Sequence, residues 1–240
     1  MKRDNRARGK ARLNNAYELG LGATGNCQGA AVAGDNIVRP PNIVGVGGSL
    51  RVGSTSRTAL ATVLEGAAAA GAGCRLIWVR DLDLPLYSAE GSAPLQAQQF
   101  ADTSYACDAM IWSTPTYHGS VSGSFKNALD WLILLAERDP PYLTNKPVGL
   151  VSTAGGVHGL QAINSMDFIA RALRGWSVPL VQPVAQARQS FDPEGRLVDQ
   201  VVGDQLRGLG QEVVRAARQF RAEGTCDYAD DRQFAQATPH

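Results

Sequence analysis

The sequence predicts an α/β domain built on a doubly wound, five-stranded parallel sheet with helices on both faces. Three observations lead there. Five apolar runs of five to eight residues, bounded by Gly, Pro, Ser or charged residues, alternate with segments whose apolar residues recur at helical spacing. Strands separated by helices pair in parallel through right-handed crossovers, which places helices on both faces. The chain has 240 residues, 44% hydrophobic and 19% charged, enough for one domain with a sizeable core, and it shows no internal repeat.

The first strand is "NIVGVGGS", from Asn42, and it meets a Gly/Ser turn. The helix that follows, "STSRTALATVLEGAAAAGAG", aligns Leu60, Val63, Leu64 and Ala67 on one face and ends at glycine. "CRLIWVR" is the second strand, residues 96–107 a helix and residues 109–113 the third strand. Residues 123–136 form a helix with Phe125, Leu129, Leu132 and Ala136 in line; Phe125, Trp131 and Leu132 belong to the core or to a dimer seam. "PVGLVST" is the fourth strand, and Leu160, Ile163, Met166, Ala170 and Leu173 stripe the next helix. "VPLVQPV" is the fifth strand. "SFDPEGRLVD", residues 190–199, is a turn-containing excursion with no evident chemistry, and Val202, Leu206, Leu209 and Val213 stripe the last helix.

These elements occupy residues 39–222, leaving an extension at 1–38 and a tail at 223–240. The extension is Arg-rich, then rich in Gly, Ala and Asn without helical or strand period, and is expected to be disordered or to precede the true start. A nucleic-acid-binding arm and an organellar transit peptide are the alternatives. Formal net charge is +1, with +5 on the first twelve residues and therefore −4 on the rest. Such a balance offers no electrostatic case for nucleic acid or an anionic membrane surface. The four cysteines, Cys27, Cys74, Cys107 and Cys226, form no C-x-x-C pair, so neither a zinc ribbon nor an iron–sulfur cluster is signalled and no metal is expected. Without an apolar stretch long enough to span a bilayer or a secretory h-region, a cytoplasmic protein is expected.

Two turns carry the chemistry. "GGSLRVGSTSR", residues 47–57, fails the dinucleotide fingerprint because Leu50 occupies the third glycine position. It approaches a phosphate loop of the G-x-x-x-x-G-K-[ST] type, but Ser54 replaces the lysine. The hydroxyls of Ser49, Ser54, Thr55 and Ser56, the helix N–H groups and the Arg51 charge suit one phosphate monoester without a metal. A capped helix start, with Ser54 or Thr55 as N-cap, is the plainer reading and needs one hydroxyl. The second turn, "TPTYHGSVSGSFKNALDWL", lies where the third strand ends and a helix begins, the place where open α/β sheets bind ligands.

Together with "GLVSTAGGVHGLQAI", these two stretches resemble, in order and separation, the NADPH-dependent FMN reductase family over about residues 42–220. That family is flavodoxin-like and includes chromate, quinone and azo reductases. The resemblance implies that Ser49, Arg51, Ser54, Thr55 and Ser56 hold the FMN phosphate. It also implies that Pro115, Thr116, Tyr117, His118 and Gly119 line the isoalloxazine, with Thr153, Ala154, Gly155 and Gly156 closing its other edge. Many relatives carry Glu where Thr116 stands and Asn where His118 stands, which changes the polarity beside the ring.

The expected activity is hydride transfer from NAD(P)H to FMN. The runners-up are a reductase that keeps FMN and passes electrons to quinones, azo dyes or metal oxyanions, a flavodoxin-type electron carrier, and a nucleic-acid-associated protein using the basic extension. Hydride transfer requires proximity rather than a protein acid or base, so no catalytic residue is assigned. His118 and His158 either hydrogen-bond and face solvent or donate protons, and Lys126 with Asp130 reads as a helix ion pair. The expected partners are small molecules, namely a nicotinamide and a flavin or quinone-like acceptor, with a homodimer or homotetramer as the assembly and neither nucleic acid nor membrane.

Overall fold

The computed structural model describes residues 39–222. The expectations for 1–38 and 223–240, and for Cys27 and Cys226, fall outside the described residues.

Five strands, β1 (Asn42–Gly47), β2 (Gly73–Trp78), β3 (Ala109–Pro115), β4 (Pro147–Thr153) and β5 (Trp176–Val184), form one sheet in the order β2-β1-β3-β4-β5, every pair parallel. Helices α1 (Thr55–Ala69) and α7 (Gln200–Ala222) cover one face, and α3 (Leu95–Ala106), α4 (Gly123–Asp130) and α5 (Gly159–Ala172) the other. Successive strand residues point to opposite faces, so a parallel sheet covered on both sides must be apolar throughout. Ile43, Ile111 and Val151 accordingly pack with Leu60, Val63, Leu206 and Val213, while Val44, Met110 and Leu150 pack with Phe100, Phe125, Leu132 and Met166.

The elements depart from the sequence reading in local ways. Val79 and Arg80 leave the second strand and start a one-turn helix, α2 (Val79–Leu82). The helix expected over 123–136 stops at Asp130 and tightens into a 3₁₀ turn, Trp131–Leu135. Three residues per turn put Leu132 and Leu135 on one side, both fully buried, while Ile133 and Leu134 stay exposed. Phe125, Trp131 and Leu132 are therefore core residues. On α5 the buried face runs through Gly159, Ala162, Ile163, Met166 and Ala170, which turns Leu160 outward at the helix start with 51% of its surface exposed. β5 carries Pro179 and Pro183, which an edge strand tolerates because one side of its backbone has no partner strand. Among the described residues no helix is long and apolar enough to cross a membrane.

Candidate functional site

In this strand order the crossovers leave β1 and β3 in opposite directions, opening a crevice at their carboxyl ends. The loops after β1, β3 and β4 converge there with the connection from β5 to α7. They enclose a cavity of about 470 Å3, within the usual range for a small-molecule site.

The first loop is fastened from below. Gly48 donates its N–H to the Ser113 carbonyl at 2.8 Å, and its own carbonyl accepts from Ser122 Oγ at 2.6 Å and Ser124 Oγ at 2.9 Å. Trp78 donates its indole N–H to the Ser49 carbonyl, and the Arg57 guanidinium stacks on the Trp78 ring at 4.1 Å. Ser54 occupies the N-cap position of α1 without capping it; its Oγ shares a hydrogen with Ser56 Oγ at 2.8 Å instead. Ser49, Arg51, Ser54 and Thr55 line the cavity, whereas Ser56 is fully buried behind them. A helix N-terminus, three hydroxyls and a guanidinium make this end electropositive and rich in donors.

The second loop begins with Thr116 donating its N–H to the Thr153 carbonyl at 3.0 Å. Tyr117 and Ser120 exchange backbone hydrogen bonds, both 3.0 Å, across His118 (φ 49°) and Gly119 (φ 80°), a tight turn with two left-handed residues. A Cβ on Gly119 would lie 2.7 Å from Gln161 Oε1, so this residue faces α5. Pro115, Thr116 and Tyr117 line the cavity; His118 and Gly119 form the tip beyond it. Thr116 Oγ1 is buried without a hydrogen-bond partner among the described residues. Ser122 ends the loop as the N-cap of α4, its Oγ accepting from the Phe125 N–H at 3.2 Å.

From the third loop Thr153, Ala154 and Gly155 line the cavity, and Thr55 Oγ1 donates to Thr153 Oγ1 at 3.3 Å across the crevice. A Cβ on Gly155 would meet nothing within 4 Å. Gly156 is not a lining residue; its carbonyl accepts from the Gln186 N–H at 2.8 Å. His158 is exposed at the start of α5.

The fourth wall is absent from the sequence reading. Ala187 and Arg188 of the short helix α6 (Ala187–Ser190), with Phe191, Asp192 and Pro193, complete the lining. The turn-containing excursion at residues 190–199, which shows no evident chemistry in the sequence, therefore reaches the site through Phe191, Asp192 and Pro193. One signal was available: every loop leaving the carboxyl end of a parallel sheet emerges on the ligand side. Asp192 accepts from the Arg196 N–H at 2.8 Å and Arg196 Nε at 2.6 Å. Desolvation pushes its carboxyl up, but these hydrogen bonds and the Arg196 charge outweigh that and hold it below its ordinary range.

Elsewhere, Lys126 and Asp130 form an exposed i, i+4 ion pair of 2.6 Å. Burial pushes the Cys74 thiol up to about 11 and the Cys107 thiol to about 12, so neither is a thiolate at neutral pH. Among the described residues no three His, Cys, Asp or Glu side chains cluster to hold a metal.

The family model described as NADPH-dependent FMN reductase matches residues 41–189. An NAD(P)H-dependent FMN reductase of Pseudomonas aeruginosa is 30% identical over 182 residues, covering 72% of this chain and 91% of that protein. An NADPH:quinone oxidoreductase of Arabidopsis thaliana is 28% identical over 184 residues, covering 69% and 86%. In fold, a flavodoxin, WrbA-like protein from Agrobacterium tumefaciens superposes with a TM-score of 0.55 at 24% identity, covering 75% of this chain and 99% of that one.

Proposed function

The chain belongs to the NADPH-dependent FMN reductase family, and we propose that it holds FMN in the cavity at the carboxyl edge of its sheet and presents it there to NAD(P)H. One observation carries this reading: a single cavity joins an electropositive, donor-rich end to the turns after β3 and β4. The residues fit the cofactor. Ser49, Arg51, Ser54 and Thr55 supply the donors a phosphate monoester needs. The unpartnered Thr116 hydroxyl supplies a polar group whose burial is costly until something bonds to it. The open space at Gly155 leaves room for a flat ring to approach the backbone.

FMN, when bound, supplies the two-electron chemistry, taking hydride from NAD(P)H and passing electrons to an acceptor. The protein's share is binding, orientation and exclusion of water. Ser49, Arg51, Ser54 and Thr55 anchor the phosphate, with Ser56 supporting Ser54 from behind. Pro115, Thr116, Tyr117, Thr153, Ala154 and Gly155 flank the ring. His118, Gly119 and Gly156 act one layer out, by holding the turns that carry these residues. Neither His118 nor His158 is assigned a proton, and the reaction asks for none from the protein.

The reading in which FMN stays bound and a quinone-like or azo acceptor takes the electrons is favoured by the fourth wall, which encloses the cofactor further than three loops alone. The proposed setting is a cytoplasmic homodimer or homotetramer, with residues 39–222 as the unit that carries the activity. Anaerobic addition of NADPH or NADH to the FMN-loaded protein tests the function: the visible flavin band bleaches and returns on adding a quinone. A protein that binds no FMN, or whose bound FMN is not bleached by either nicotinamide, contradicts it.

A further inference from the structure

We propose that Arg188 is a second cation of the flavin-phosphate site, held over the first loop by a clasp formed from residues 187–195. The inference rests on the flavin reading of the cavity.

The clasp is fastened at both ends. At its start, the Gln186 N–H donates to the Gly156 carbonyl at 2.8 Å and the Ala187 N–H to the Ala154 carbonyl at 2.9 Å, tying α6 to the third loop. At its far end, Thr58 on α1 donates its hydroxyl to the Gly195 carbonyl at 2.7 Å. Gly195 has φ 81°, and a Cβ on it would lie 2.7 Å from the Gly53 carbonyl, so the backbone of the clasp rests directly on the backbone of the first loop. Between the two anchors Phe191 is buried. The segment thus bridges the third loop to the phosphate loop, and Arg188 sits on that bridge.

The charges around the cavity point the same way. Arg51, from the first loop, and Arg188, from α6, both line it, and among the described residues neither has a carboxylate within ion-pair distance. Asp192 is the lining carboxylate, and it is already bonded by Arg196 through both backbone and side chain. Arg196 lies outside the lining and pairs with both Asp192 and Glu194, so these carboxylates are held by it and not by the lining guanidiniums. A phosphate monoester carries about −1.5 to −2 near neutral pH. A helix N-terminus supplies roughly +0.5, which with Arg51 reaches only the lower end of that charge, and a second guanidinium covers the upper end.

The test is flavin titration of the full-length apoprotein, followed by fluorescence quenching with FMN and, separately, riboflavin. Arg188→Ala is expected to weaken FMN about tenfold or more and riboflavin less than about twofold, with an unchanged apoprotein melting temperature. Arg188→Lys restores part of the loss, and added salt narrows the gap between wild type and Arg188→Ala. Unchanged FMN affinity in Arg188→Ala, beside a clear loss in Arg51→Ala, overturns the inference and leaves the flavin site standing. Equal losses for FMN and riboflavin overturn it as well, by making Arg188 a fold-supporting residue. A wild-type protein that does not prefer FMN to riboflavin removes the underlying reading and this inference with it.

Discussion

Ser122 donates its hydroxyl to the carbonyl oxygen of Gly48 at 2.6 Å, joining the helix after β3 to the loop after β1. The Ser122 Oγ in turn accepts from the Phe125 N–H at 3.2 Å and so caps α4. One serine therefore sets both where the helix begins and where the loop after β1 lies, which ties α4 to one wall of the cavity.

That coupling makes Gly48 intolerant of a side chain. A Cβ there would lie 2.6 Å from the Cβ of Phe125, which is fully buried and cannot retreat. Gly48→Ala is expected to cost about 1 to 3 kcal/mol of stability and to weaken FMN as the loop lifts. Ser122→Ala should cost about 1 to 2 kcal/mol through the lost cap, again with weaker FMN. Urea denaturation and flavin titration measure both effects. Wild-type stability and affinity in Gly48→Ala would mean that the loop is not held against α4.

Much of this fold can be read from the sequence because it depends on burial. A parallel sheet covered on both faces forces continuous apolar runs, and the runs at Ile43, Met110 and Val148 are unmistakable. The first three walls of the cavity carry local signals as well: clustered hydroxyls after β1, Pro and Gly after β3, paired glycines after β4. The fourth wall carries none. Arg188 and Asp192 reach the site through long-range anchors, Thr58 to Gly195 and Ala187 to Ala154, which leave no pattern in adjacent residues. Leu160 fits a helical stripe by spacing alone, yet the orientation of α5 turns it outward.

The two glycines at the cavity edges should respond differently. Gly119 lies at φ 80° and faces Gln161, so Gly119→Ala is expected to cost about 1 to 2 kcal/mol of stability while FMN affinity stays within about threefold. Gly155 looks into open space on the lining, so Gly155→Trp should fold normally and lose FMN by tenfold or more. Circular dichroism and flavin quenching separate the cases. The reverse pattern would place the flavin against the 118–119 turn.

The buried Cys107 thiol predicts alkaline destabilisation. Burial is the main cause of its rise to about 12; Asp108 adds to it, while Lys146 and backbone N–H groups oppose it. An unfolded thiol ionises near 8.5. Its stabilising effect is complete below that pH and is lost as pH climbs towards 12, because the unfolded chain releases a proton the folded chain keeps. Between pH 8 and 10 the wild type should lose stability relative to Cys107→Ala, by on the order of 1 to 2 kcal/mol. Parallel pH profiles in urea unfolding would show that the thiol reaches water.

The most direct test of the flavin site itself is the affinity of wild type and Arg51→Ala for FMN against riboflavin, which differ only in the phosphate. Arg51→Ala is expected to weaken FMN by roughly 1.5 to 3 kcal/mol, about ten- to a hundredfold, and to leave riboflavin nearly unchanged. Equal losses for both flavins, or no loss for either, would contradict the assignment of the residue 49–55 loop as the phosphate end of the site.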